Sequence, residues 1–255
     1  MFISCGKEIN MLNLLKIIFK KADVGKKEHL SDEYLDVIRK FGELGIKIKE
    51  CKELSIETWN QIYLTIESLY KKYSEIPIGY IKEINLSKND GIAEAHLFCD
   101  KQYIYDTKQG ICLSLNKNYF MDFALFGIKR KTTNFNVNDN EIIPFIIAHE
   151  FGHVIDIYHS LKDPCYQNKR FLSGDDLIIL LETLPYSKKI LEEALRNAYP
   201  ELKRMNYEGF LSETISSNAS QDFGEAFAEI IALNFLNKEN RLIKEVETLI
   251  KCRGK

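Results

Sequence analysis

Residues 142–159 read Ile-Ile-Pro-Phe-Ile-Ile-Ala-His-Glu-Phe-Gly-His-Val-Ile-Asp-Ile-Tyr-His. The stretch is strongly apolar around a few polar positions, so it reads as a buried helix. Residues four apart on a helix share a face, which lets His149 and His153 grip one cation through two imidazoles. Glu150, one position along, flanks that cation and is placed to take a proton from a water the metal polarises. Gly152 is expected to leave room beside the metal. The bland alternative is a pair of hydrogen-bonded core histidines, but two histidines and a glutamate on so apolar a helix are costly without a task. Zinc, one ion per chain, is the expected metal.

Working outward, the chain divides into helices, a small sheet and more helices. Upstream, helices are expected over about 9–21, 31–42 and 55–73, the last capped by Ser55 with an apolar stripe of Trp59, Ile62, Tyr63, Ile66, Leu69 and Tyr70. Strand-like runs follow at 78–86, 92–99, 103–105 and 111–115, with turn signals at Asn89-Asp90-Gly91 and Lys108-Gln109-Gly110. From Asn138 the pattern is helical to the end, broken by a loop near 161–168. Strands do not alternate with helices, so the class is α+β. Residues 1–54 read as a helical extension and 55–255 as the main domain.

The bulk composition excludes several functions. A formal charge of −2 across 255 residues does not suit a nucleic-acid binder that neutralises phosphates. No segment is apolar for long enough to span a bilayer. The run 11–19 is broken by Asn13 and Lys16 and lacks a cleavage site, so no signal peptide is expected. The sequence leaves open whether the chain is cytoplasmic or exported by a non-classical route. The 9–21 helix is amphipathic; packing on the domain is the preferred reading, and it is the segment through which a partner or membrane contact would otherwise be made. The six cysteines are scattered with no C-x-x-C pair, so free buried thiols are expected, with Cys99 and Cys112 as the exception to watch.

A catalytic zinc needs a third protein ligand. Glu225 and Glu229 share one face of an apolar helical run, where one can ligate while the other supports a ligand. A capping box beginning at Asp222 or Ser220 would account for Glu225 but not for Glu229. His159 completes the spacing H-E-x-x-H-x5-H of the metzincin peptidases, and Met205-Asn206-Tyr207 could pass for their Met-turn. That pattern needs Gly where Asp156 stands, because the chain must turn sharply there. Without the turn His159 points away from the metal, so a glutamate is the preferred third ligand.

The segments HEFGHVID at 149–156 and GEAFAE at 224–229, the latter preceded by SSNASQDF at 216–223, resemble the lethal-factor-like zinc peptidases. This is the gluzincin-type family of the anthrax lethal factor catalytic domain and the pro-pro endopeptidases. The resemblance implies a zincin-like fold, with a small twisted sheet over the active-site helix. It also implies hydrolysis of a protein or peptide substrate, Glu225 as third ligand, and Glu229 behind it. The family carries a Tyr a few residues before that glutamate, where it stabilises the oxyanion. Asn218 stands there instead and can itself donate a hydrogen bond, while Tyr207 or Tyr158 are the tyrosines to consider as substitutes. Substrate is expected to lie as an added strand along Ile111-Cys112-Leu113-Ser114-Leu115, whose plain alternative is a core strand. Two other functions remain open: a zinc-stabilised binding module without turnover, and an intracellular regulatory peptidase that cleaves a repressor.

Overall fold

The structure, a computed structural model, describes residues 30–87, 91–98, 104–121, 134–183, 185–202 and 207–253. The expected helix at 9–21 lies outside the described residues, as do Cys5, Cys99, Met205 and Asn206. The class is α+β, with helices around a small mixed sheet.

Helix α1 (Asp32–Glu43) starts behind Ser31, and strand β1 (Lys47–Ile48) follows it. Helix α2 (Ile56–Lys72) begins where Ser55 accepts a hydrogen bond from the Thr58 N–H, the cap its sequence announced. Its stripe is buried at Trp59, Ile62, Ile66, Leu69 and Tyr70. Strands β2 (Ile81–Ser87), β3 (Ala93–Leu97), β4 (Tyr105–Asp106) and β5 (Ile111–Asn116) follow, with a short helix α3 (Lys117–Met121). Ile78, expected in a strand, stands exposed ahead of β2. The turn before β5 closes on Gly110 at φ 91°, a left-handed backbone that Gly adopts without strain. The C-terminal half holds α4 (Ile142–Ser160), β6 (Phe171–Leu172), α5 (Gly174–Thr183), α6 (Tyr186–Ala198), α7 (Tyr207–Thr214), α8 (Phe223–Phe235) and α9 (Arg241–Arg253).

The main sheet has the order β1-β2-β5-β3, while β4 and β6 pair separately. β1, β2 and β5 run parallel, and β3 is antiparallel to β5. Side chains alternate across a strand. Ile111, Leu113 and Leu115 therefore face the core with Ile84 and Leu97, while Glu83, Asn85, Cys112, Ser114 and His96 occupy the opposite, polar face. There Lys49 pairs with Glu83 at 2.6 Å and His96 meets Ser114 at 2.9 Å.

Three expectations are corrected here. Ile111–Leu115 is not an edge: it pairs with β2 on one side and β3 on the other, so among the described residues the edges of the main sheet are β1 and β3. Residues 30–54 are not an extension apart from the rest. β1 extends the sheet, the Phe41 ring packs edge-on against Trp59 at 5.8 Å, and Trp59 Nε1 donates to the Cys51 carbonyl at 2.6 Å. The main core runs from Val37 to Ile250, and Tyr166, Leu172 and Leu180 form a small second cluster. The described cysteines are free thiols, but only Cys51 and Cys112 are buried, while Cys165 and Cys252 are exposed. No described helix is long and apolar enough to cross a membrane.

Candidate metal centre

Helix α4 runs unbroken from Ile142 to Ser160 through the middle of the core, packed against α8, α2 and β3. Its buried set includes Ile143, Ile147, Phe151, Val154 and Ile155, so the polar residues ride on a helix held in place on most of its surface. α8 crosses it closely. A methyl group built on Gly152 would stand 2.6 Å from the Ala228 Cα, so the two backbones touch at that point. The room that Gly152 provides is thus taken by Ala228 and not by a metal, which corrects the expectation from sequence.

That crossing brings the donors together. Asp222 caps α8 by accepting the Glu225 N–H at 2.8 Å, but the Glu225 carboxylate does not turn back to complete a capping box. It reaches across to α4 instead. Its Oε2 lies 3.4 Å from His149 Nε2 and its Oε1 3.4 Å from His153 Nε2, while the two imidazole nitrogens are 3.3 Å apart. These three residues form the one group among the described residues with the donors and spacing to hold a metal ion. Their side chains are 14% to 26% exposed, so the cluster opens to solvent on one side.

The electrostatics follow from crowding acids around two histidines. Burial opposes the charge of Glu225, but hydrogen bonds and positive charge from His149 and His153 outweigh it and hold the carboxyl far below its usual range. Burial likewise opposes the charge of His153. The bond to Glu225 and the charges of Glu150, Glu225 and Asp156 prevail and raise its pKa to about 9. Glu150 is almost wholly buried, and burial pushes its carboxyl up. The two histidines pull it back, Glu225 adds to the rise, and the Ala95 backbone of β3 acts against it. Glu229 is buried and also pushed up, with His149, Ser216 and Asn218 acting against the rise, and its Oε2 has no hydrogen-bond partner.

The remaining predicted residues fall elsewhere. His159 is not in the cluster: α4 passes Asp156 without turning, and the His159 ring stacks on Tyr186 at 4.4 Å. Asp156 is no ligand either. It is buried, and its Oδ1 accepts the Ser187 N–H at 2.8 Å and the Ser160 hydroxyl at 3.3 Å, while Ser160 Oγ accepts the Tyr186 N–H at 2.9 Å. Pro185 offers α6 no side-chain cap, so this pair on α4 caps that helix from outside. Asn218 donates to Glu225 Oε2 at 2.6 Å and accepts from Gln221 at 2.8 Å. The Tyr207 ring packs on Phe223, two residues before Glu225, with centroids 6.3 Å apart. Tyr158 lies against Tyr80 and Lys162 instead.

Sequence reading missed three parts of this arrangement. Ala95 acts through its backbone and leaves no mark in the sequence. Ser160 could have been found from its i+4 spacing to Asp156, and Gln221 from its place three residues after Asn218. No family model, curated protein or solved structure matches the chain.

Proposed function

We propose that the chain is a zinc-dependent endopeptidase of zincin-like fold, with His149, His153 and Glu225 as ligands and Glu150 as general base. One observation carries the reading. Two imidazole nitrogens and a carboxylate from separate helices converge at 3.3 to 3.4 Å. Zinc bonds of about 2.0–2.1 Å in a tetrahedron have ligand–ligand edges of about 3.3 Å. The histidine–carboxylate separations are longer than the charge-assisted hydrogen bonds of about 2.7–2.9 Å that a metal-free cluster would favour. A neutral imidazole pair with one carboxylate is also a donor set that zinc accepts, leaving a position open.

When bound, zinc would polarise a scissile carbonyl and acidify a water. Glu150 lies beside the ligands, buried, with its carboxyl pushed up by that burial. It accepts the water proton as the new C–O bond forms and returns it to the amide nitrogen as the C–N bond breaks. β3, the free edge beside α4, is the strand on which an extended peptide would add its own backbone hydrogen bonds.

The test pairs metal content with cleavage of a peptide library by wild type, His149→Ala and Glu150→Ala. Zinc in wild type, its loss in His149→Ala, and cleavage that disappears in Glu150→Ala with zinc retained are the expected results. Wild type without zinc would end the proposal. Zinc without cleavage by any variant would leave a zinc-stabilised binding module.

A further inference from the structure

We infer that Asn218 is a positioning residue for the third ligand; this rests on the metal centre proposed above. Two hydrogen bonds support it. Asn218 Nδ2 donates to Glu225 Oε2 at 2.6 Å. The Asn218 oxygen is then free to accept, and Gln221 Nε2 donates to it at 2.8 Å.

The loop that carries the amide is itself fixed. The Gln221 N–H closes a turn on the Asn218 carbonyl at 3.0 Å, and the Ala219 N–H donates to the buried Ser216 hydroxyl at 2.9 Å. Asn218 thus ties in place the Glu225 oxygen that faces His149. One N–H of the amide is committed to the charged ligand and the amide oxygen to Gln221, so the Asn at this position serves metal geometry.

The experiment compares Asn218→Ala and the near-isosteric Asn218→Leu with wild type and His149→Ala, all full length. It reads zinc affinity by competition with a chelating dye, and the visible absorption of the cobalt-substituted protein. Circular dichroism of the metal-free proteins checks the fold. Both Asn218 variants should bind zinc about 10–100-fold more weakly, the range for loss of a group that orients a ligand. Their cobalt bands should shift, which a purely structural role would not cause. Unchanged affinity and unchanged bands in folded Asn218→Leu would overturn the inference, the more so if cleavage fell. If wild type and His149→Ala bind zinc equally poorly, the metal centre itself fails and the inference falls with it.

Discussion

The crossing of α4 and α8 makes Gly152→Ala the sharpest probe of how the fold builds the centre. The added Cβ would meet the Ala228 Cα at 2.6 Å, its Cβ at 3.1 Å and its carbonyl oxygen at 3.3 Å. Non-bonded carbons rest at about 3.5–4.0 Å, so the shortfall is about 1 Å, and it is against backbone that cannot rotate aside. The helices must separate or slide, at a cost of about 1–3 kcal/mol for an overpacked core. Glu225 sits one turn before Ala228, and His149 and His153 flank Gly152, so the same displacement reaches the donors. Metal sites tolerate ligand errors of about 0.2 Å, well below that shift. Zinc affinity should therefore fall at least tenfold together with stability. Gly42→Ala is the control, because a Cβ there meets nothing within 4 Å and should be neutral or stabilising. Urea unfolding of the metal-free proteins and dye competition for zinc read the two effects separately. A Gly152→Ala protein that matches the control in midpoint and wild type in zinc affinity would refute the close crossing as the source of the site.

Glu150→Gln should keep zinc stoichiometry while cleavage falls about 10²–10⁴-fold, the contribution of a general base, and retained cleavage would exclude Glu150 from that role. Glu225→Ala should weaken zinc binding far more than His159→Ala, and the reverse order would restore a histidine as third ligand. His159 is pushed down to about 4 by burial, with Lys162 adding to the effect. The unfolded chain gains that proton near 6.5 and the folded chain only near 4, so stability is lost as pH falls through that window. The gap amounts to about 3 kcal/mol at most, and His159→Phe, still able to stack on Tyr186, should flatten this part of the pH dependence in urea titrations. An unchanged slope would clear His159 of the effect.

Much of this fold could be read in advance because its signals are local. Ser55 capping α2, the Trp59–Tyr70 stripe and the apolar helix around His149 depend on spacings within a few turns. What escaped was long-range. Strand order is set by pairing between distant segments, and here a usable signal was passed over. Ile111–Leu115 is buried along nearly its whole length, the mark of a central strand, while Ala93–Leu97 carries Glu94 and His96, as an edge strand does. β1 has only two residues, too few for any periodicity, so its place in the sheet hid the continuity of residues 30–54 with the core. Glu225 was legible because an acid on an apolar helix asks for a reason. Gly152 was misread because its neighbour, Ala228, comes from another helix.

The charge distribution carries a last prediction. Glu150, Asp156 and Glu229 are buried and Glu225 is partly buried, all near the two histidines of α4. Without a cation, the interior relieves this by holding protons: His153 is raised to about 9, and burial pushes Glu150, Asp156 and Glu229 upward. A divalent ion among the donors would replace those protons with fixed charge and lower the desolvation cost of the acids. Zinc should therefore raise the melting temperature of chelator-treated protein, by a free energy of about 4 kcal/mol when free zinc is 1,000-fold above its dissociation constant. The gain should shrink as pH falls, because protons compete for His149, His153 and Glu225. Glu225→Ala should melt at the same temperature with and without zinc. If wild type also shows no zinc-dependent shift at neutral pH, protonation alone balances the acids, and the three residues form a hydrogen-bonded core cluster with no metal to hold.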